Sequence, residues 1–373
     1  MSLSLTQVFN PRPGWYRGDF HAHTNFSDGA LTPPQLLEVA KAEGLDFFAI
    51  TDHNTIQAYP HFGETHGLLI IPGIEATYKN GHFNIFGVQG EPDWLAQVTG
   101  KYINAPTPDD PYPTTTALMQ RTASQGLLNS INHPLLKPWA WEFGSTDLRY
   151  SYCLEIWNDP SWPDNQRDNP RAITMWTEWL NAGHRITAIG GSDFHRPVPP
   201  PNPPKPPDRL GLPSTYVYAT ELSGRAILQA LRERRAYVSM GPRATFQARA
   251  NGQTFDIGAD LGQWNGEIEF SATVSECATP ANARIVKNGE AIAESAVTNG
   301  GAALTSADRV DAAQAAWYRF DVYDSSGLML AITNPIFVGP GRAPERHTFG
   351  DFVSGLKPGL CPCNVGSVKR HLH

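Results

Sequence analysis

Nine side chains of metal-ligating type recur between residues 21 and 195: His21, His23, Asp28, His53, Glu75, His82, His133, Asp193 and His195. His21 and His23 open the series in GDFHAHTNFSDG. Two histidines one residue apart on an extended segment project the same way and can grip one ion together. The set is six His, two Asp and one Glu, with no cysteine. Nitrogen and oxygen ligands of this kind suit zinc, manganese or ferrous iron. A catalytic zinc uses about three protein ligands and keeps one position open, so nine groups imply two or three divalent ions. A carboxylate such as Glu75 can bridge two cations about 3.5–4 Å apart and so favour a water acidified to hydroxide near neutral pH.

Other polar residues earn a place by their neighbours. Asp52, beside His53, is expected to orient an imidazole through a hydrogen bond. Arg196, directly after the last ligand, is the expected cationic clamp for an anionic substrate, with Lys137, Arg167 and Arg171 as further candidates. Asp193, Arg196 and Asp52 are therefore the residues assigned to catalysis. Glu155 and Asn158, at the end of CLEIWN, are read either as supports of the ligands or as partners of local backbone. His61, His66, His184 and His347 fall away from the ligand-bearing strand ends and are assigned no role.

These groups must be delivered by strands. WYRGDFHAH reads as a strand, and LTPPQLLEVAKAEG as a helix over Pro33–Glu43, with Thr32 as N-cap, Pro33 at the first helical position and Gly44 as stop. DFFAI then runs into Asp52 and His53, GLLIIPGIEATY carries Glu75, and GHFNIFGV begins beside His82. A helix ALMQRTASQG leads to LLNSINHP and His133, CLEIWN is a buried strand, RAITMWTEWLNAG an amphipathic helix, and RITAIGGSDFH delivers Asp193 and His195. STYVYAT and SGRAILQALRERRAYVS complete an alternation that predicts a parallel α/β barrel of seven or eight strands, with hairpin-like material over 75–88.

After residue 240 the pattern turns to short alternating runs broken by Asn-Gly and Ser-Gly, which predicts a small antiparallel sandwich. The chain then divides into a barrel over 1–240, a β-sandwich-like domain over 241–345 for packing, association or distal substrate contact, and a tail over 346–373. The proline-rich run RPVPPPNPPKPPDRL must be an extended loop, since most of its positions lack an amide hydrogen, and it comes directly after His195. With YINAPTPDDPYPTT (102–115) it is placed either as a wall of the site or as a surface insertion. Cys153, Cys277, Cys361 and Cys363 are too few and too uneven for a disulfide framework and are expected as thiols. A clip of Cys361 and Cys363 with His371 and His373 is set aside in favour of an extended tail.

The net charge of -7, without long single-sign runs, argues against a nucleic-acid polymer or an anionic membrane as partner. No apolar stretch approaches the roughly 20 residues that span a bilayer. The start MSLSLTQVFNPRPG lacks the regions of a signal peptide, so the cytoplasm is the expected compartment.

In this order HAH with SDG, ITDHN, GIE, GHFN, INHP and GSDFH resemble the motifs of the polymerase-and-histidinol-phosphatase (PHP) superfamily, over roughly residues 15–240. The stretch with KNGEAIAES and WYRFDVYDSSG…ITNPIFV resembles the extension of the carbaryl hydrolase (CehA/McbA-like) branch. The resemblance implies an α/β fold, a distorted (β/α)7 TIM-like barrel with a C-terminal all-β domain, whose strand ends hold two or three divalent ions (Zn, Mn or Fe). It further implies that His21, His23, Glu75 and Asp193 surround one ion, Glu75, His82 and His133 a second, and Asp28, His53 and His195 a third. Asp28 stands where other branches carry a histidine, as in the family's small-nucleotide and RNA phosphatases, which changes the charge of the third site.

The expected activity is that of a metal-dependent phosphoesterase on a small molecule. A carboxylic or carbamate ester hydrolase on the same ions is the alternative, favoured by Trp139, Trp141, Trp157 and Trp162. A non-catalytic scaffold is a third reading, against which the complete ligand series argues. Oligomeric state and substrate identity are not readable from these motifs.

Overall fold

Helix α1 (Pro33–Ala42) shows how local signals set the elements. Thr32 and Gln35 form a capping box, proline occupies the first turn, where its missing N–H has no intrahelical partner to lose, and Gly44 takes a φ of 67° just beyond the end. Leu36, Leu37 and Ala40 are buried, so the helix lies on the sheet by its apolar stripe.

The computed structural model describes residues 3–98, 115–198 and 206–353. Most of the 102–115 loop, positions 199–205 of the proline run, and Cys361, Cys363, His371 and His373 lie outside the described residues.

Strands β1 (Gly14–Asp19), β2 (Phe47–Ile50), β3 (Leu69–Tyr78), β4 (Gly81–Phe86), β5 (Leu128–Ile131), β6 (Cys153–Asn158), β7 (Thr187–Gly191), β8 (Ser214–Ala219) and β9 (Ala236–Ser239) build the first part. They run in the order β9-β8-β1-β2-β3-β4-β5-β6-β7. Two blocks, β1-β2-β3 and β5-β6-β7, are parallel. The β3–β4 hairpin reverses the chain, β4 pairs β5 antiparallel, and β8 pairs both β1 and β9 antiparallel.

The sheet is thus mixed: the hairpin lies within the 75–88 stretch where one was expected, while the antiparallel β4–β5, β1–β8 and β8–β9 pairs correct the expectation of a parallel barrel. Alternating strand and helix patterns read the same whichever way the next strand runs. Among the described residues helices are also fewer than the repeats suggested: beside α1 there are α2 (Leu95–Val98), α3 (Thr115–Ser124), α4 (Asn165–Asn181) and α5 (Gly224–Arg232). β2 is joined to β3 by a single 3-10 turn over Tyr59–His61.

The two ends of this path approach each other. Thr215 on β8 accepts a hydrogen bond from the Gly190 N–H at 2.9 Å and donates to the Gly190 carbonyl at 2.8 Å. Asn334 accepts from the Ala188 N–H at 2.8 Å and donates to the carbonyls of Ala188 and Ala236 at 2.9 and 3.0 Å. Side chains thereby do what a backbone ladder would do between β7 and the β8–β9 edge.

Beyond residue 240 the described strands pair antiparallel, with an isolated parallel bridge between Asp260 and Phe337. β10 (Arg243–Ala250), β11 (Gln253–Asp256), β12 (Gly266–Ser275) and β15 (Ala302–Val310) form a four-stranded sheet. β13 (Ala281–Lys287), β14 (Glu290–Val297), β16 (Ala316–Asp324), β17 (Met329–Thr333) and β18 (Ile336–Val338) continue the long sheet from β9. β10 and β12 alternate buried and exposed residues along their length, so one face is apolar. Phe246, Phe270, Ile285, Tyr318, Phe320 and Val322 fill the core between the sheets.

Arg319, buried beside Asp321, lies between the rings of Trp317 and Trp176 and donates to Thr177 at 2.8 Å, tying β16 to α4. The first residues of the expected tail are also docked: Phe349 and Phe352 are buried against Trp179, and Phe349 donates its N–H to the Thr146 carbonyl.

Candidate metal centre

All nine ligand-type residues converge at one end of the sheet, where the carboxyl ends of β1, β2, β5 and β7 meet the β3–β4 hairpin. His21 and His23 lie just past β1, both without solvent exposure, with ring centroids 5.1 Å apart. Their Nε2 atoms face one oxygen of Asp193, at 3.2 and 3.1 Å. Glu75, inside β3 and fully buried, is the hub: its carboxylate lies 3.3, 3.5, 2.8, 3.2 and 3.4 Å from ring nitrogens of His21, His23, His53, His82 and His133. Asp28 lies 3.4 Å from His53 and 3.1 Å from His195.

Three groups of ligand atoms could each close on an ion: His21 with His23 and Glu75; His53 with Glu75 and His82; and His23 with Asp28, His53 and His195. They overlap the implied sets but share His23 and His53 between neighbours. His133 approaches through Glu75, and Asp193 through His21 and His23.

The donor chemistry fits divalent cations. Nε2 of His21 and Oε2 of Glu75 are buried and without a hydrogen-bond partner, a costly state for polar atoms unless something binds them. Burial opposes charge on Glu75 and Asp193, yet the surrounding imidazoles hold both carboxyls well below their usual range. Asp28 is likewise lowered against its burial, by His195 first. Burial pulls His21 down, but Asp193, Glu75 and Glu155 push it well above its ordinary value. His23 goes the other way, to about 4, through burial and the repulsion of His195 and His53. His195 rises to about 9 against its burial, through Asp28 and Asp193. The buried carboxylates thus favour positive charge in their midst.

Backbone geometry is forced at the same place. His133 and Asp193 adopt φ of 26° and 50°, a region that costs a side-chain-bearing residue about 1–3 kcal/mol and concentrates at functional sites. A Cβ on Gly191 would sit 2.5 Å from His21 Cβ and 2.6 Å from Glu155 Oε1, so only glycine lets His21 and Glu155 close up there. Asp19 accepts from the N–H groups of His21, Ser192 and Gly211 at 3.0, 3.0 and 2.7 Å and from the Ser192 hydroxyl, tying β1 to β7.

Of the supports weighed in the sequence, Glu155 contacts a ligand and Asp52 does not. Asp52 orients no imidazole: its carboxylate accepts from the Thr24 N–H and hydroxyl, both at 2.6 Å, and from the Ser27 hydroxyl at 2.7 Å. It therefore pins the loop between His23 and Asp28. Adjacent residues on an extended chain point to opposite sides, so with His53 facing the centre, Asp52 faces away. Imidazole orientation falls to Glu155, 2.9 Å from His21 Nδ1, and to Thr77, 2.6 Å from His53 Nδ1. Asn132 donates to Glu75 at 2.9 Å, and Glu155 also accepts from the His133 N–H at 2.7 Å. Thr77, Asn132, Asp159 and Asp208 were not legible as site residues; only the position of Asn132 beside His133 offered a signal.

A cavity of about 270 Å³ opens onto the cluster. Leu136, Trp139 and Trp162 form its apolar side, and Asp159, Arg196 and Asp208 its polar side. Trp139 is 37% exposed and meets Trp162 edge-to-face at 5.5 Å. Trp141 and Trp157 are core residues. Arg196 lines the cavity, its backbone N–H held by Asp208 at 3.1 Å. Arg167 and Arg171 do not line it; both pair with buried Asp168 at 2.8 and 3.0 Å. His61 and His66 are exposed, and His184 bonds the Arg346 carbonyl.

Residues 19–156 match the PHP domain model. A relative from Shewanella oneidensis named "Probable phosphatase" is 34% identical over 204 residues, covering 48% of this chain and 77% of its own. The chain belongs to the PHP domain family. A second relative of the same name, from Shewanella frigidimarina, is 37% identical over 198 residues, again 48% and 77% of the two chains. Among solved structures, a Bacteroides vulgatus protein described as a "two-domain protein containing predicted PHP-like metal-dependent phosphoesterase" aligns over 89% of this chain and 98% of its own, at 18% identity and a TM-score of 0.45. As a member of the PHP family the protein is a hydrolase enzyme. Among the described residues no helix is long and apolar enough to cross a membrane.

Proposed function

We propose that this protein hydrolyses phosphate esters of small molecules with two or three divalent ions, zinc, manganese or iron, held by the nine convergent ligands. The observation that carries the reading is Glu75, a fully buried carboxylate within 3.5 Å of five imidazoles, with one oxygen that no hydrogen bond satisfies. Bound divalent ions supply acidified water and positive charge for the phosphoryl oxygens.

The chain supplies the rest. His21, His23, Glu75 and Asp193 would hold one ion, His53, His82 and His133 with Glu75 a second, and Asp28, His53 and His195 a third. Glu155 keeps the His21 proton on Nδ1, which leaves Nε2 as the donor. Arg196 lines the cavity and is assigned to phosphate oxygens. Trp139, Trp162 and Leu136 would seat an apolar leaving group away from water. We read the sheet as a distorted (β/α)7 TIM-like barrel closed by Thr215 and Asn334, and residue 240 as the limit of the catalytic unit. The partner is a small molecule, and the cytoplasm the working compartment; buried, unpaired thiols at Cys153 and Cys277 are compatible with that.

The same tryptophan pair favours a second reading, hydrolysis of a carbamate or carboxylic ester, which the resemblance of the β-rich extension to carbaryl hydrolases supports. Metal-reconstituted enzyme offered p-nitrophenyl phosphate, bis-p-nitrophenyl phosphate and 1-naphthyl methylcarbamate separates the two. Phosphate ester turnover is expected, and carbamate turnover alone overturns it. Metal content below one equivalent per chain after chelator-free purification would favour a non-catalytic scaffold.

A further inference from the structure

Asn158 lies at the end of β6, fully buried, with its amide directed into the ligand cluster. Its Nδ2 lies 3.1 Å from Glu155 Oε2 and 3.4 Å from Asp193 Oδ2. Three residues apart on a regular strand, Glu155 and Asn158 would face opposite ways. The register of β6 against β7 slips by one residue between Glu155 and Trp157. Such a bulge inverts the in-out parity of the residues beyond it and turns Asn158 to the same side as Glu155.

The amide is held from behind by α4. Asn165 donates through Nδ2 to Asn158 Oδ1 at 2.9 Å and to the Asp159 carbonyl at 3.0 Å. Asn169 uses both ends of its amide on the Asn158 backbone, accepting from its N–H at 3.1 Å and donating to its carbonyl at 2.7 Å. A flipped Asn158 would lose the Asn165 bond and turn a carbonyl oxygen toward two carboxylates, so one orientation is imposed. With Asp193 Oδ2 engaged by Asn158, Oδ1 is the oxygen left facing Nε2 of His21 and His23. Glu155, engaged at Oε2, keeps Oε1 for His21 Nδ1.

We propose that Asn158 is a positioning residue that fixes which Asp193 oxygen and which His21 nitrogen face the metal, and that Asn165 and Asn169 lock its amide for that task. The proposal rests on His21 and Asp193 being ligands. It assigns to α4 a part in holding the metal ligands that the ligand motifs do not contain.

The test is Mn²⁺ and Zn²⁺ affinity of the apo full-length protein, by competition with a chromophoric chelator, for wild type, Asn158→Asp, Asn158→Ala and Asn165→Ala. Asn158→Asp places a third carboxylate against Glu155 and Asp193 at nearly constant volume. It is expected to weaken the first metal equivalent by about 10–100-fold, the usual effect of losing a support of metal ligands, with far-ultraviolet circular dichroism unchanged. Asn165→Ala, which keeps the Asn158 amide but frees it to turn, is expected to give a smaller loss of the same kind, and a fall in kcat with little change in KM on whichever ester is turned over. Unchanged affinity in folded Asn158→Ala and Asn158→Asp overturns the proposal. Should neither fold, affinity in Asn165→Ala decides: a loss supports the proposal and wild-type affinity overturns it. Because affinity is read without substrate, failure of the phosphoester reading leaves this result intact.

Discussion

The ligand cluster and the antiparallel core beyond residue 240 are both buried, yet they are built on opposite principles. Around Glu75 the interior is charged, includes backbone in left-handed conformation at His133 and Asp193, and leaves polar atoms without hydrogen-bond partners. Around Phe320 the interior is apolar, β10 and β12 of the facing sheet alternate buried and exposed residues, and the buried Arg319 has Asp321 at 2.8 Å. The second region draws its stability chiefly from apolar burial, whereas the first gathers buried carboxylates and imidazoles whose charges bound cations would balance. Function is lodged where the fold is least self-sufficient.

The sharpest way to break this contrast is Glu75→Ala. Turnover should fall by about 10³-fold or more, since charge stabilisation of this type is worth several kcal/mol, and metal content should fall with it, while urea unfolding stays cooperative. Retained metal and turnover would remove Glu75 from the centre.

The converse substitution, Phe320→Ala, should cost about 3–5 kcal/mol of stability as a cavity in a packed core, read by denaturant midpoint, with metal per folded chain unchanged. Loss of metal from chains that remain folded would show the regions to be one energetic unit. Chelation and readdition give a third measure: metal that binds only the folded state raises the melting temperature, so chelator should lower it and Mn²⁺ or Zn²⁺ restore it. An identical melting curve with and without chelator contradicts the cation requirement.

Asp52→Asn should destabilise by about 1–3 kcal/mol, since an amide NH₂ then faces donors of the 24–27 loop. Its kinetic effect should exceed that of any surface substitution, because this loop joins His23 to Asp28. The smallest effect concerns acid. Burial raises the Asp308 carboxyl, but Lys287 and the Tyr318 hydroxyl lower it further, so its folded value lies below the ordinary one. Stability from this group is present above the unfolded value and is lost as pH falls through the folded one. Asp308→Asn should therefore flatten the loss of stability below about pH 4; an unchanged profile would assign that loss to other carboxylates.

Much of the centre could be read in advance because ligand identity and strand-end position are local properties. His21-Ala-His23 needed only the period of an extended chain, and GSDFH and INHP needed only their place after apolar runs. Asp52 was misjudged because adjacency in sequence reverses side-chain direction. The pairing of Asn158 with Glu155 was hidden because it depends on a bulge, which no residue type announces. Strand direction was equally invisible: β8 and β9 carry the same apolar pattern whichever way they run, and pairing with β1 decides it. Asp159 and Asp208 sit in loops, where Asp ordinarily serves turns.

Asn334 has a consequence for how the chain can be divided. It lies between β17 and β18, far beyond the last ligand, and supplies the clasp between Ala188 on β7 and Ala236 on β9. A fragment ending at residue 240 would keep every ligand and yet strand the Ala188 amide in the interior. The border that divides the chemistry is therefore not a place where the molecule can be cut, and the ligand-free part acts as the fastener of the part that carries the site.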